Sequence, residues 1–167
     1  MNAPAPLPPP IIDIEASGFG RGSYPIEVGL VLPCGSSYCT LVSPLADWTH
    51  WSEDAQNVHG IHRDELLRYG RHAKDVAGLL NRLLADTTVY SDAWSHDLAW
   101  LGRLFEDTGI RQQFRLEALN TIIAEDQKPI WDATRALVTK DLDLRRHRAS
   151  NDARILQLTW LRTRIPA

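Results

Sequence analysis

Cysteine is scarce in this chain: Cys34 and Cys39 are the two among 167 residues. Their spacing, across a predicted hairpin turn, matches no zinc-ligand pattern. A thiolate metal site is thereby excluded, and two reduced thiols are expected, with a cross-hairpin disulfide as the alternative. Long apolar runs are lacking too. No stretch approaches the ~18 residues needed to cross a bilayer, so the chain reads as soluble, without a membrane partner. The first ten residues contain no charged side chain and five prolines, at positions 4, 6, 8, 9 and 10. Residues 1–10 read as a flexible extended tail rather than a signal peptide, and the expected location is cytoplasmic. A basic excess is also missing: 18 Lys and Arg against 21 Asp and Glu leave a net charge of −3. That excludes a surface that coats long nucleic acid, so any such contact must be local. Arg145, Arg146 and Arg148 around His147 form a short basic cluster, either such a contact or a solvated loop.

What is present fits one domain over residues 11–167. Ile11 to Glu15 reads as a buried strand, followed by a turn-rich loop from Gly18 to Pro25 and a second strand from Ile26 to Leu32. The short segment from Pro33 to Ser37 predicts a hairpin, so Tyr38 to Val42 should pair antiparallel with the second strand. Ser52 and Gly60 bracket one short helix, and Gly70 closes another from Arg63 to Tyr69. Apolar residues at 76, 79, 80, 83 and 84 follow one helical face between Ala73 and Ala85, leading into a β-branched strand from Thr87 to Ser91. The helical pattern returns from Ser95 to Asp107, and a fifth strand is expected from Phe114 to Leu119. Pro129 suits the first turn of a helix to about Lys140, and Ser150 is the expected cap of the last helix. The fold class is therefore α/β: a mixed five-stranded sheet, made of a three-strand antiparallel meander plus parallel strands, flanked by helices.

Asp13 and Glu15 lie two residues apart on the first strand, so both carboxylates point to one face while Ile12 and Ile14 point to the other. Adjacent acids on a rigid strand repel unless a cation lies between them, and oxygen ligands select hard cations such as Mg²⁺ or Mn²⁺. More carboxylates should then come from elsewhere. Asp97 in the helix after the fourth strand, and Asp152 in the first turn of the last helix, supply them. Together with His147 they are the parts of a two-metal nuclease, in which an imidazole that ordinarily titrates near 6.5 serves as general base. The His-four-residues-Asp spacing occurs at His59 with Asp64 as well as at His147 with Asp152, so spacing alone is a weak signal.

The order of these motifs resembles the DEDDh 3′-to-5′ exonucleases, which include proofreading subunits and oligoribonucleases. Asp13-Ile14-Glu15-Ala16-Ser17-Gly18 looks like the family's first motif, His147-Arg148-Ala149-Ser150-Asn151-Asp152-Ala153 looks like its HRAxxDA motif, and Val58-His59-Gly60-Ile61 resembles an intervening segment. The resemblance implies a ribonuclease H-like fold and two Mg²⁺ or Mn²⁺ ions. It implies Asp13 bridging both ions, Glu15 and Asp152 on the water-activating one, Asp97 supporting the other, and His147 as base. It also implies cleavage at 3′ ends with release of nucleoside 5′-monophosphates, and a homodimer, while the modest net charge favours short or single-stranded substrates, DNA or RNA, over long duplexes. The second motif departs from the family pattern: Asp92-Ala93-Trp94-Ser95-His96-Asp97 stands where a His-Asn pair usually precedes the Asp, which leaves Asp92 as a rival to Asp97. Candidate substrate contacts are Ala16, Ser17, Gly18, Phe19, His59, Trp94 and His96; Phe19, Trp94 and His96 offer rings that can stack on bases or pack in the core. The alternative to catalysis is a non-catalytic module of the same fold that binds a nucleic-acid end or a protein.

Overall fold

A computed structural model describes residues 7–144 and 147–164. The meander forms as β1 (Ile11–Ala16), β2 (Pro25–Val31) and β3 (Ser37–Ser43). Two short helices follow, α1 (Glu53–His59) and α2 (Arg63–Tyr69). Ser52 Oγ accepts the Ala55 N–H to start α1, and Gly60 ends it at φ 68°, a conformation glycine adopts without steric cost. After β4 (Arg71–His72) and α3 (Ala73–Leu84), strand β5 (Thr88–Ser91) leads into α4 (Trp94–Thr108). Strand β6 (Arg115–Ala118), a 3-10 turn, α5 (Lys128–Leu142) and α6 (Ala149–Arg164) complete the order. No helix among the described residues is long and apolar enough to cross a membrane.

The sheet runs β4-β3-β2-β1-β5-β6, antiparallel within the meander and parallel at β1/β5, β5/β6 and β3/β4. The five expected strands are present, and a two-residue sixth strand, β4, extends the β3 edge. Side-chain alternation along β1 divides the core. Ile12 and Ile14 pack with Leu80 and Leu84 of α3 and Leu101 and Leu104 of α4. Ile11 packs on the opposite face with Leu156 and Trp160 of α6. Each such buried side chain contributes roughly 1.5–3 kcal/mol. Asp13 and Glu15 share the α6 face with Ile11, so the last helix is laid beside the first-strand carboxylates.

Two boundaries differ from expectation. The tail is not free up to residue 10: Pro9 is buried with its carbonyl accepting from Gln157 Nε2 at 2.9 Å, and Pro10 O accepts from Tyr90 N at 3.0 Å. Proline lacks an N–H but keeps its acceptor, so Pro10 can extend the β1–β5 pairing by one bond. Residues 1–6 lie outside the described residues. Ser150 lies inside α6 rather than capping it, because the helix begins at Ala149, whose N–H finds its acceptor on β2 at Glu27. Cys34 and Cys39 are both exposed and unbridged.

Candidate active site

Strand β1 brings Asp13 and Glu15 to its C-terminal end, opposite Gly29 and Glu27 of β2; a register shift between Glu15 and Ala16 then turns the chain into the Ser17–Gly18 loop. Strand β5 ends at Ser91, next to the start of α4, and the first turn of α4 places Asp97 in full burial. Ser91 O–H donates to Asp97 Oδ2, and Asp97 Oδ1 is buried with no hydrogen-bond partner. The start of α6 supplies Asp152, whose Oδ2 accepts the His147 N–H at 2.8 Å. Ligand atoms of Glu15, His147 and Asp152 all lie within 4.8 Å of one another. His147 is exposed and adopts φ 59°, a left-handed conformation uncommon outside glycine.

The electrostatics follow from this crowding. Burial pushes the Asp13 carboxyl well above its ordinary range, and Asp97, Glu15, Asp152 and Asp92 push it further. Glu15 rises to about 7, chiefly through burial, then through Asp152 and Glu27, with Arg148 opposing. Asp97 also rises to about 7, through burial, against the opposing Ser91 hydrogen bond. Such a set is unfavourable when fully ionised and becomes favourable around a divalent cation. The orphaned Asp97 Oδ1 and the all-oxygen carboxylate donors fit hard cations of the Mg²⁺ or Mn²⁺ class. Asp92 is close enough to act on Asp13 and Asp97, but its own carboxylate is paired with Arg135 of α5 at 3.2 Å.

Next to Glu15 opens a cleft of about 400 Å³ lined by Ala16, Gly18, Phe19, His50, His59 and Trp100 among others. Phe19 is 69% exposed at its mouth. It meets the His96 ring edge-on at 5.1 Å, while His96 stacks on Trp100 at 5.6 Å. Gly18 cannot carry a side chain, because at φ 148° a Cβ would lie 2.7 Å from His50 Cε1. Ser17 is buried and supports the loop: its hydroxyl bonds His50 Nδ1 at 3.1 Å and accepts the Tyr24 N–H at 3.1 Å. His59 is also buried, with Nδ1 accepting from Ile61 N at 3.0 Å. Trp94 does not line the cleft; its indole N–H donates to Leu116 O on β6. His50, Ser91, Trp100 and Arg135 escaped the sequence reading. Ser91 carried a faint signal as the last residue of a strand running toward the acids, whereas His50 sits in an irregular segment with no periodicity.

No protein-family model matches the chain, and neither does any curated protein. Solved structures do match. Escherichia coli exonuclease I in complex with a dA16 oligonucleotide superposes with a TM-score of 0.69 at 15% identity, over 94% of this chain and 41% of that one. The fold is shared with exonuclease I. A second neighbour, exonuclease I from the moderately thermophilic Methylocaldum szegediense, gives 0.69 at 14% identity, over 94% of this chain and 40% of its own. The zinc-bound E. coli exonuclease I complex with single-stranded DNA gives 0.66 at 16% identity, over 94% and 41%. This chain therefore spans about two fifths of those exonuclease I chains. The likeness confirms the mixed α/β, ribonuclease H-like sheet; Asp13, Glu15, Asp97, His147 and Asp152 are brought together at one end of it.

Proposed function

We propose that the chain is a divalent-metal-dependent 3′-5′ exonuclease acting on short or single-stranded nucleic acid. The observation that carries this reading is the convergence of Asp13, Glu15, Asp97 and Asp152 beside His147, from three separate segments of an exonuclease I-like fold. Asp13, Glu15, Asp97 and Asp152 would hold two Mg²⁺ or Mn²⁺ ions, which when bound activate water and neutralise charge on the phosphoryl oxygens. Asp97 is preferred to Asp92 as ligand because it is buried with an unpartnered oxygen, whereas Asp92 already has Arg135. The His147 imidazole, exposed at the rim of the acids, takes the proton from the attacking water. Water oxygen bonds to phosphorus, the bond to the upstream 3′-oxygen breaks, and a nucleoside 5′-monophosphate leaves.

The cleft supports a small footprint. Phe19 and His96 offer ring faces or edges to a terminal base, a contact worth about 1–3 kcal/mol per stacked base. The net charge of −3 gives little long-range pull on a duplex. Unbridged, exposed thiols at Cys34 and Cys39 suit a reducing compartment, the cytoplasm. The test is product analysis on 5′-labelled DNA and RNA oligonucleotides with Mn²⁺. A ladder shortening from the 3′ end, lost in EDTA and in His147→Ala, is expected. Binding of oligonucleotide ends without any shortening would support the non-catalytic module instead.

A further inference from the structure

Strand β2 carries a carboxylate outside the proposed ligand set. Glu27 faces Glu15 in the β1–β2 register and is 0% exposed. A bare charge there would be costly, yet its two oxygens take four hydrogen bonds. Arg148 Nε donates to Oε1 at 3.0 Å and to Oε2 at 3.2 Å, and an Arg148 terminal nitrogen donates to Oε1 at 2.5 Å. The fourth bond comes from the backbone N–H of Ala149 to Oε2 at 2.9 Å. That N–H belongs to the first turn of α6, where donors have no partner within the helix, so Glu27 acts as a cap supplied from the sheet. Two residues along β2, a Cβ on Gly29 would lie 2.1 Å from Ala149 C and from Ser150 N. The backbone of the α6 first turn therefore rests directly on the bare strand. Immediately before Arg148, His147 is left-handed and its N–H is tied to Asp152 Oδ2.

The geometry points to Glu27 and Arg148 as positioning residues: their ion pair fixes the His147–Asp152 turn against Glu15, setting a metal ligand and a proton acceptor at once. This rests on the metal-dependent reading above. It also assigns the half-buried Arg148, one of three arginines in the basic cluster, to the buried Glu27 rather than to nucleic acid; Arg145 and Arg146 lie outside the described residues. The planar guanidinium matters because it meets both carboxylate oxygens, and a lysine would keep the charge without the two-point contact.

Two variants test this. Arg148→Lys keeps Glu27 opposite a cation, and the double variant E27Q/R148M removes both charges, so neither leaves a bare buried ion. Mn²⁺ affinity, read from the electron paramagnetic resonance of free Mn²⁺, is measured beside thermal melting, kcat and KM on a single-stranded oligonucleotide. Both variants should melt near the wild type and hold KM, while kcat falls and the Mn²⁺ dissociation constant rises, each roughly 10–100-fold, the usual effect of losing a residue that orients a ligand. Wild-type Mn²⁺ affinity in a folded variant would overturn the proposal, and so would a loss expressed in KM alone, which would make Arg148 a substrate contact. If the double variant unfolds, Arg148→Lys decides by the same criteria. A wild-type protein that binds Mn²⁺ but cleaves nothing would overturn the nuclease reading, and the clamp would then be decided by Mn²⁺ affinity alone.

Discussion

Without divalent ions, this protein should become more stable as the pH is lowered from 8 to 5.5, opposite to the usual behaviour of salt-bridged carboxylates. Asp97 is fully buried and rises from 3.8 to about 7, and Glu15 rises from 4.5 to about 7. Between pH ~4.5 and ~7 the folded chain therefore holds protons that the unfolded chain has released, and bound protons favour the state that holds more of them. The stabilisation is full below the unfolded values and is lost as the pH rises through about 7. One carboxyl displaced this far corresponds to on the order of 3 kcal/mol. Because Asp13, Glu15 and Asp97 interact, the combined effect is taken as that of one group, not as a sum. Of this, the part lost between pH 5.5 and about 7 is about 2 kcal/mol, which for a chain of this size moves the melting temperature by about 4–8 °C. Calorimetry in EDTA at pH 5.5, 6.5, 7.5 and 8 reads it directly. Mn²⁺ should flatten the slope by stabilising the ionised set at high pH. A melting temperature in EDTA that stays level or climbs between pH 5.5 and 8 would refute the electrostatic picture of the site.

Further outcomes follow from single contacts. Asp97→Asn should abolish nuclease activity by several orders of magnitude, whereas Asp92→Asn should retain it within about tenfold; steady-state rates with saturating Mn²⁺ separate the two. Gly29→Ala should destabilise the protein by about 3 kcal/mol, as the new methyl meets the α6 backbone, and a denaturant melt will report it. Phe19→Ala should raise KM roughly tenfold with little change in melting temperature, since the ring is exposed and its loss removes only a stacking surface; an unchanged KM would remove Phe19 from the substrate path.

Legibility in the sequence depended on how local the cause was. The carboxylate pair on β1 could be read because period-two alternation fixes which side chains share a face, and helices α1 and α2 could be bounded because Ser52, Gly60 and Gly70 act on their own neighbours. Strand β4 escaped because two residues carry no pattern. The start of α6 was misplaced by two residues because its cap is Glu27, more than a hundred positions away in the chain. Glu27 itself looked like an ordinary strand residue, and Arg148 like part of a surface cluster, until the fold joined them. Trp94 shows the converse: an aromatic beside a candidate ligand reads as a base-stacking group, while its indole N–H is committed to Leu116 O. Pro9 and Pro10 read as tail by composition, yet their carbonyls are held by Gln157 and Tyr90.

If the carboxylates of Asp13, Glu15, Asp97 and Asp152 form a divalent-ion centre, the metal-free protein must bind Mn²⁺ through them. Titration calorimetry of the metal-free protein with Mn²⁺ at pH 7.5 tests it most directly. Two ions per chain in the wild type, with at least one lost in Asp13→Asn and in Asp152→Asn while both variants stay folded, is the predicted result. Heats no larger than dilution in the wild type, or binding that survives both substitutions, would contradict it.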